Sequence, residues 1–103
     1  MATVKPETYT TGPKPTIDKD PNAVLDYSFD WTAWLAPLSD TIASVEFALQ
    51  TPLTKTGDSF TPNEAVVWVG GGTVGATFGV TCRITTVQGR TDDRTVFLKI
   101  VER

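Results

Sequence analysis

The sequence predicts an all-β domain, and three observations lead to that prediction. Apolar and polar residues alternate with a period of two through most of the chain, which is the pattern of strands with one buried face. Turn-forming residues interrupt this pattern roughly every ten residues. No segment matches a helical period better than a strand period. We therefore predict about seven strands and no helix, which is typical of an immunoglobulin-like antiparallel β-sandwich.

Residues 76–103 predict a β-hairpin whose register follows from its side chains. A two-residue loop would place Phe78 opposite Lys99, which mixes the buried and the exposed face. A three-residue loop at 87–89 instead places Phe78 opposite Leu98, with glycine at the position that needs a left-handed backbone. The three-residue loop is the prediction, and a longer loop of the same parity stays possible.

The middle of the chain supplies the other strands. Residues 22–31 and 41–50 predict strands with one buried face, and the apolar run at 64–69 predicts a central strand. The buried faces would comprise Leu25, Tyr27, Phe29, Trp31, Ala43, Val45, Phe47 and Leu49. Residues 53–63 predict a turn at Thr56-Gly57-Asp58 with at most a short strand beside it.

The N-terminal region differs in composition from the rest. Residues 1–18 are polar and rich in proline, which predicts an extended arm ahead of a sandwich at 19–103. Residues 17–21 predict a short edge strand or a lead-in to the first strand. Tyr9 and Pro13 are candidate contacts if the arm docks on a partner, and the alternative is a loose tail.

Composition and charge exclude several classes of partner. The 103 residues, with 40% hydrophobic and 20% charged, are enough for one domain with its own core. A net charge of −3 argues against nucleic acid. No apolar run approaches the roughly 20 residues of a membrane span. The first residues show no apolar signal-peptide core. We therefore expect no nucleic-acid or membrane partner and no classical secretion.

Catalytic and cofactor signals are weak. The chain has no histidine and one cysteine, which excludes Ser-His-Asp and Cys-His catalysis within it. Gly70, Gly72 and Gly75 match G-x-G-x-x-G, but a strand pattern follows where a dinucleotide site needs a helix. Cys82 lies on the predicted inward face. We expect no catalytic residue, no cofactor and no metal, and we interpret the acidic residues as solvated turn and edge carboxylates: Asp18, Asp20, Asp26, Asp30, Asp92 and Asp93.

Residues 32–40 form a predicted loop that is unusually apolar. Trp34 and Leu38 either close the end of the sandwich or form a hydrophobic patch for a partner. Arg90 and Arg94, near the hairpin turn, form either weak surface ion pairs or a charged rim of the same contact. These four residues, with Tyr9 and Pro13, are the candidate interface.

The three tryptophans could also form a stacking platform for sugars. Trp68 lies within an apolar run and is predicted to belong to the core, and Trp31 is expected to be at least half buried. Trp34 is then the tryptophan with a chance of exposure. A carbohydrate-binding or adhesive module that recognises a host surface is therefore the alternative function.

Five motifs occur in order along the chain: Lys19-Asp20-Pro21, Leu25 to Leu35, Asp40 to Ser44, Val67 to Gly75, and Arg83 to Arg94. Together they resemble the small phage fiber–tail adaptor proteins, which are immunoglobulin-like virion components. The resemblance covers roughly residues 19–103. The first 18 residues and residues 50–63 depart from the pattern.

The resemblance implies a non-enzymatic virion structural protein that joins the phage tail or baseplate to a tail fibre. Its partners would be other tail, baseplate or fibre proteins, with several copies in the assembly. It would be made in the host cytoplasm without a signal peptide and would reside in the virion. The resemblance carries over no functional residues.

Overall fold

The computed structural model describes residues 2–4 and 16–102, which form two four-stranded sheets. The strands are β1 Ala2–Val4, β2 Thr16–Lys19, β3 Leu25–Asp30, β4 Ile42–Leu49, β5 Thr54–Phe60, β6 Glu64–Gly70, β7 Thr77–Thr86 and β8 Thr91–Ile100. A short helix, α1 Thr32–Leu35, and a 3-10 turn, Ala36–Leu38, follow β3. The first sheet has the order β1-β3-β6-β5 and the second the order β2-β8-β7-β4. The predicted all-β sandwich is confirmed.

The core lies between the two sheets and is made by the alternating residues of the central strands. The side chains from the first sheet and the segment after it are Tyr27, Phe29, Trp31, Ala65, Val67 and Val69, and those from the second are Val80, Cys82, Ile84, Val96, Leu98 and Ile100. All of them are fully or almost fully buried. As predicted, β6 is central, between β3 and β5.

The predicted hairpin register is confirmed. Phe78 lies opposite Leu98, and Thr86 N donates to the carbonyl of Arg90 at 2.8 Å, which closes a three-residue loop. Gly89 has a φ of 90°, which favours glycine. The same register places Arg94 opposite Cys82, on the side of the sheet that faces the core.

Two predictions for the connecting segments are wrong. The predicted turn at residues 56–58 lies inside the continuous strand β5, where a β-bulge between Lys55 and Gly57 absorbs an extra residue. Since both faces of this edge strand are largely exposed, its sequence shows no alternation. The predicted absence of helix also fails at residues 32–38, because α1 and the 3-10 turn are too short to show a helical period.

A second bulge changes the predicted buried face of β4. It lies between Ile42 and Ser44, so that Ile42 is buried and Ala43 is exposed, where the alternation placed Ala43 inward. Beyond the bulge, Val45 and Phe47 are partly buried against the core as predicted.

Both N-terminal strands are edge strands that pair in parallel with a neighbour. Residues 2–4 pair with β3, and residues 16–19 pair with β8. The predicted edge strand near residue 17 is confirmed, and the sheets extend into the segment assigned to the arm. The boundary between residues 18 and 19 stays a prediction. Tyr9 and Pro13 lie outside the described residues.

Lys19 fastens β2 to the connection between β6 and β7. Its side chain is fully buried, and Nζ donates to the carbonyls of Gly71 at 2.7 Å and Asp20 at 2.9 Å. Burial lowers the pKa of Lys19. Next to this contact, Gly72 has a φ of 113°, and a Cβ there would lie 2.6 Å from Cδ1 of Ile100. At Gly72 the connection therefore packs on the core with no room for a side chain.

Candidate interaction site

Three connections meet at one end of the sandwich, and we call this surface the loop end. It comprises residues 31–41, 61–63 and 86–90. Backbone hydrogen bonds join the three segments: Trp31 N to Asn63 O at 2.9 Å, Ile42 N to Pro62 O at 2.8 Å, and Val87 N to Thr41 O at 2.9 Å. The loop end is therefore a single surface built from distant parts of the chain.

Asp40 holds the helical segment onto the hairpin turn. Its side chain is buried, and Oδ1 accepts hydrogen bonds from Thr41 N at 2.9 Å and Gln88 N at 3.2 Å. Oδ2 accepts a hydrogen bond from Nε of Arg90 at 3.0 Å. Burial raises the pKa of Asp40, but hydrogen bonds from Thr86 and Arg90 outweigh it, so the pKa lies below its ordinary value. The carboxylate is therefore charged at neutral pH.

Two arginines extend the network across the tryptophans. The guanidinium carbon of Arg90 lies 4.2 Å from the ring centroid of Trp34, and that ring packs edge-on against Trp31 at 5.5 Å. Arg94 lies 5.0 Å from the Trp31 ring and pairs with Asp92. Cation–π contacts of this kind stabilise most when they are shielded from water. Arg94 therefore supports the loop end from beneath, since little of its side chain reaches the surface.

The apolar side chains of the loop end divide between the two predicted roles. Leu35 is buried and Trp34 is partly buried, so both close the end of the sandwich. Leu38 is 52% exposed and Val87 is 68% exposed. Nε2 of Gln88 donates to the backbone carbonyl of Leu38 at 2.9 Å, which joins the two segments that carry the exposed side chains. A shallow open cleft of about 390 Å³ lies elsewhere on the loop end, at Ala36, Pro62 and neighbouring residues.

The most exposed tryptophan is not the one that the sequence indicated. Trp68, predicted to be core, is 44% exposed. Because Ala65, Val67 and Val69 all point into the core, the residues between them must face outward. The apolar run concealed this alternation. Trp31 is completely buried, as predicted.

Cys82 and the glycines at 70–75, which were considered for a chemical role, lie in structural positions. Cys82 is buried in the core, and burial raises the pKa of its thiol to about 12. A strand, β7, follows the glycines at 70–75, as predicted. Within residues 2–4 and 16–102, no three acidic, cysteine or histidine side chains converge so that they could hold a metal ion. No helix in the same part of the chain is long and apolar enough to cross a membrane.

The described residues form an all-β sandwich with an organised loop end, and loops that a rigid scaffold positions often carry binding or catalytic residues. The family described as podophage GP4 fiber-tail adaptor protein gp77 matches residues 19–99, and the chain belongs to this family. The resemblance seen in the sequence is thereby confirmed, and the chain is a member of a family of phage fiber–tail adaptor structural proteins. No curated protein matches the chain.

Sequence reasoning missed the residues that organise the loop end. The sequence indicates Asp40 only as the end of the predicted loop 32–40 and the start of a motif, and Val87 and Gln88 only as loop residues. Their pairing spans 48 residues between Asp40 and Gln88, a separation that no local pattern reveals. Arg90 and Arg94 were found because they cluster near the predicted hairpin turn, and nothing in that cluster indicates Asp40 as the partner of Arg90.

Replacing Asp40 by asparagine should lower the melting temperature in a pH-dependent way. Because the folded pKa lies below the ordinary value of 3.8, the carboxylate stabilises the fold above that pH and loses this effect as the pH falls. Melting temperatures of wild type and Asp40→Asn should therefore differ most above about pH 4 and converge below it. A difference that stays constant between about pH 3 and pH 7 would contradict the assigned charge.

Proposed function

We propose that this protein is a virion adaptor that joins the phage tail or baseplate to a tail fibre, and that the loop end docks one of these neighbours. The observation that carries the second part is the pair Leu38 and Val87. Both are exposed apolar side chains, and hydrogen bonds of Gln88 to Asp40 and to the Leu38 carbonyl join the two segments that carry them. Membership of the fiber–tail adaptor family supports the first part.

The loop end has the properties of a protein-binding surface. Its exposed apolar side chains lie beside Trp34 and Arg90, residue types that often dominate binding energy at interfaces. Ordering of loops on binding costs free energy. Since hydrogen bonds already fix the three segments of the loop end, little of that cost remains when a partner binds. Arg90, about one-third exposed, supplies a polar contact at the rim.

The arm is proposed as a second element of the same contact. Tyr9 and Pro13 are its candidate side chains, and its proline content favours an extended backbone that can lie along a partner. Several copies are expected in the assembly, following the symmetry of the tail. Incorporation of a Tyr9→Ala, Pro13→Ala double variant at the wild-type level would rule out a docking role for these two residues.

The adaptor role is favoured over the carbohydrate-binding module because of the surroundings of Trp34. A sugar would have to stack on this ring, but the Arg90 guanidinium lies over it and Trp31 packs against its edge. A glycan array probed with the purified domain separates the two functions, because the adaptor requires no glycan binding.

The location of the protein tests the proposed function directly. Virions of the source phage, purified on a density gradient, should contain this chain in a fixed ratio to a tail protein by quantitative mass spectrometry. Immunogold labelling should place it where the fibres meet the tail. If the chain stays in the soluble fraction of the lysate, the adaptor function is wrong.

A further inference from the structure

We propose that the outer face of the first sheet, centred on Trp68, is a second docking surface that receives a basic segment of a neighbouring virion protein. We call it the Trp68 face and define it by Val24, Asp26, Glu64, Val66 and Trp68. The inference rests on the proposed function only because the neighbour is taken to be part of the same virion.

The strand register places these side chains together. Trp68 lies opposite Asp26 on β3 and opposite Gly57 on β5. Two residues along β6, Val66 lies opposite Ser28 and Ser59. The residues that alternate with them and belong to the core are Tyr27, Phe29, Ala65, Val67 and Val69, whereas Leu25 is 39% exposed. The Trp68 face is therefore on the outer side of the first sheet, where Val24 and Trp68 are exposed and Ser28 is fully buried.

Apolar area on this face is concentrated around the indole. A Cβ added at Gly57 would lie 3.8 Å from Cδ1 of Trp68, so the ring lies against the glycine backbone of β5. A Cβ at Gly70 would come within 3.3 Å of Val24, whose side chain covers that glycine. Val24 and Trp68 are both largely exposed. Val24 and Trp68 thus lie against Gly70 and Gly57 and remain accessible to solvent, an arrangement that core packing does not require.

The charge of the Trp68 face is one-sided. Two of the five residues that define the face, Asp26 and Glu64, are acidic, and none is a lysine or an arginine. Neither Asp26 nor Glu64 has an ion-pair partner among residues 2–4 and 16–102. On the adjacent strand β5, Lys55 is already paired with Asp58 at 2.8 Å.

The solvent side of the second sheet differs, because Arg83 and Asp93 neutralise each other there through two hydrogen bonds of 2.7 and 3.0 Å. An acidic surface around an exposed tryptophan is complementary to a segment with lysine or arginine beside an aliphatic or aromatic side chain.

The position of the Trp68 face suits a protein that holds two neighbours at once. Glu64 begins β6 next to the loop end, and Trp68 lies four residues further along the strand, roughly 13 Å away at the rise of an extended strand. The Trp68 side chain lies on the outer face of the sheet, whereas the loop end lies at one end of the sandwich. Two partners could therefore bind without competing for the same residues.

Photo-crosslinking in virions tests the proposal. The phage gene would carry p-benzoylphenylalanine in place of Trp68, with the same residue in place of Glu46 on the exposed face of β4 as the control. After irradiation of purified virions, position 68 should crosslink to a segment of another virion protein that contains lysine or arginine, and position 46 should not crosslink to that segment. An incorporated protein that gives no crosslink at position 68, or a crosslink to a segment without basic residues, overturns the proposal.

Substitutions test the chemistry of the contact. Trp68→Ala and Asp26→Lys should each lower the number of copies bound per virion, or the number of fibres attached, by about tenfold or more. Glu46→Lys makes the same charge change on the other sheet and should leave both numbers within about twofold of wild type. Melting temperatures close to wild type confirm that each variant is folded. Wild-type numbers for both Trp68→Ala and Asp26→Lys overturn the proposal.

The outcomes separate this inference from the proposed function. If the chain is absent from virions, both the adaptor function and the docking role of the Trp68 face are wrong. If the chain is present and the Trp68 and Asp26 variants assemble like wild type, only the docking role of the Trp68 face is wrong. Glycan binding that is lost in Trp68→Ala, without a protein crosslink at position 68, would assign the face to a carbohydrate and overturn the protein partner.

Discussion

Trp31→Ala is expected to lower the free energy of unfolding by about 3–5 kcal/mol, the cost of deleting a large aromatic side chain from a packed core. Trp31 is completely buried. Its ring packs against Trp34 at 5.5 Å and lies 5.0 Å below the guanidinium of Arg94. Its removal leaves a cavity and also removes the support of both side chains. Since a domain of this size has a net stability of only about 5–15 kcal/mol, this variant should be close to unfolding at ambient temperature.

Trp68→Ala is the matched control, because it deletes the same side chain from the surface. We expect a change of less than about 1 kcal/mol, since Trp68 is 44% exposed and lies beside Gly57, which has no side chain to pack against it. Urea or guanidinium unfolding, followed by tryptophan fluorescence and circular dichroism, measures both values. Equal losses in the two variants would mean that the outward assignment of Trp68 is wrong.

The contrast between these two tryptophans shows what the sequence predicts well. The buried position of Trp31 was predicted because Tyr27, Phe29 and Trp31 alternate with polar residues on a single strand. Local alternation and one glycine were likewise sufficient for the register of the β7–β8 hairpin. Trp68 was assigned wrongly because its neighbours on both sides are apolar, and a period of two cannot be seen in a continuous apolar run.

The loop end was predictable only in part, for a different reason. Trp34, Leu38 and Arg90 were recognised as candidates because such residues are unusual in loops. Their arrangement depends on Asp40, whose hydrogen bonds to Gln88 and Arg90 join positions 48 and 50 residues apart in the chain. Tertiary contacts of this kind leave no spacing in the sequence. Edge strand β5 was missed for a related reason, since both of its faces are largely exposed and its bulge interrupts any pattern.

Leu38→Asp and Val87→Asp are expected to break the contact that the loop end makes in the virion without unfolding the protein. Both side chains are more than half exposed, so an aspartate at either position remains solvated in the free domain and should change its melting temperature little. In the assembly, the same carboxylate would be buried in an apolar contact without a partner, which costs several kcal/mol. The number of adaptor copies per virion, or the number of attached fibres, should therefore fall by at least about tenfold for each variant.

Ala48→Asp is the control for these variants, because it adds the same charge at an exposed apolar residue of β4, away from the loop end. It should assemble like wild type. Quantitative mass spectrometry of virions from phages that carry each variant gives the copy numbers, and fibre counts by electron microscopy show which contact is lost. If the loop end binds the tail, Leu38→Asp releases the adaptor and the fibre together. If it binds the fibre, the adaptor stays on the tail and only the fibre is lost, so one variant assigns the loop end to one neighbour and leaves the other for the Trp68 face. Wild-type copy numbers and fibre counts for both loop-end variants would rule out the loop end as a docking surface.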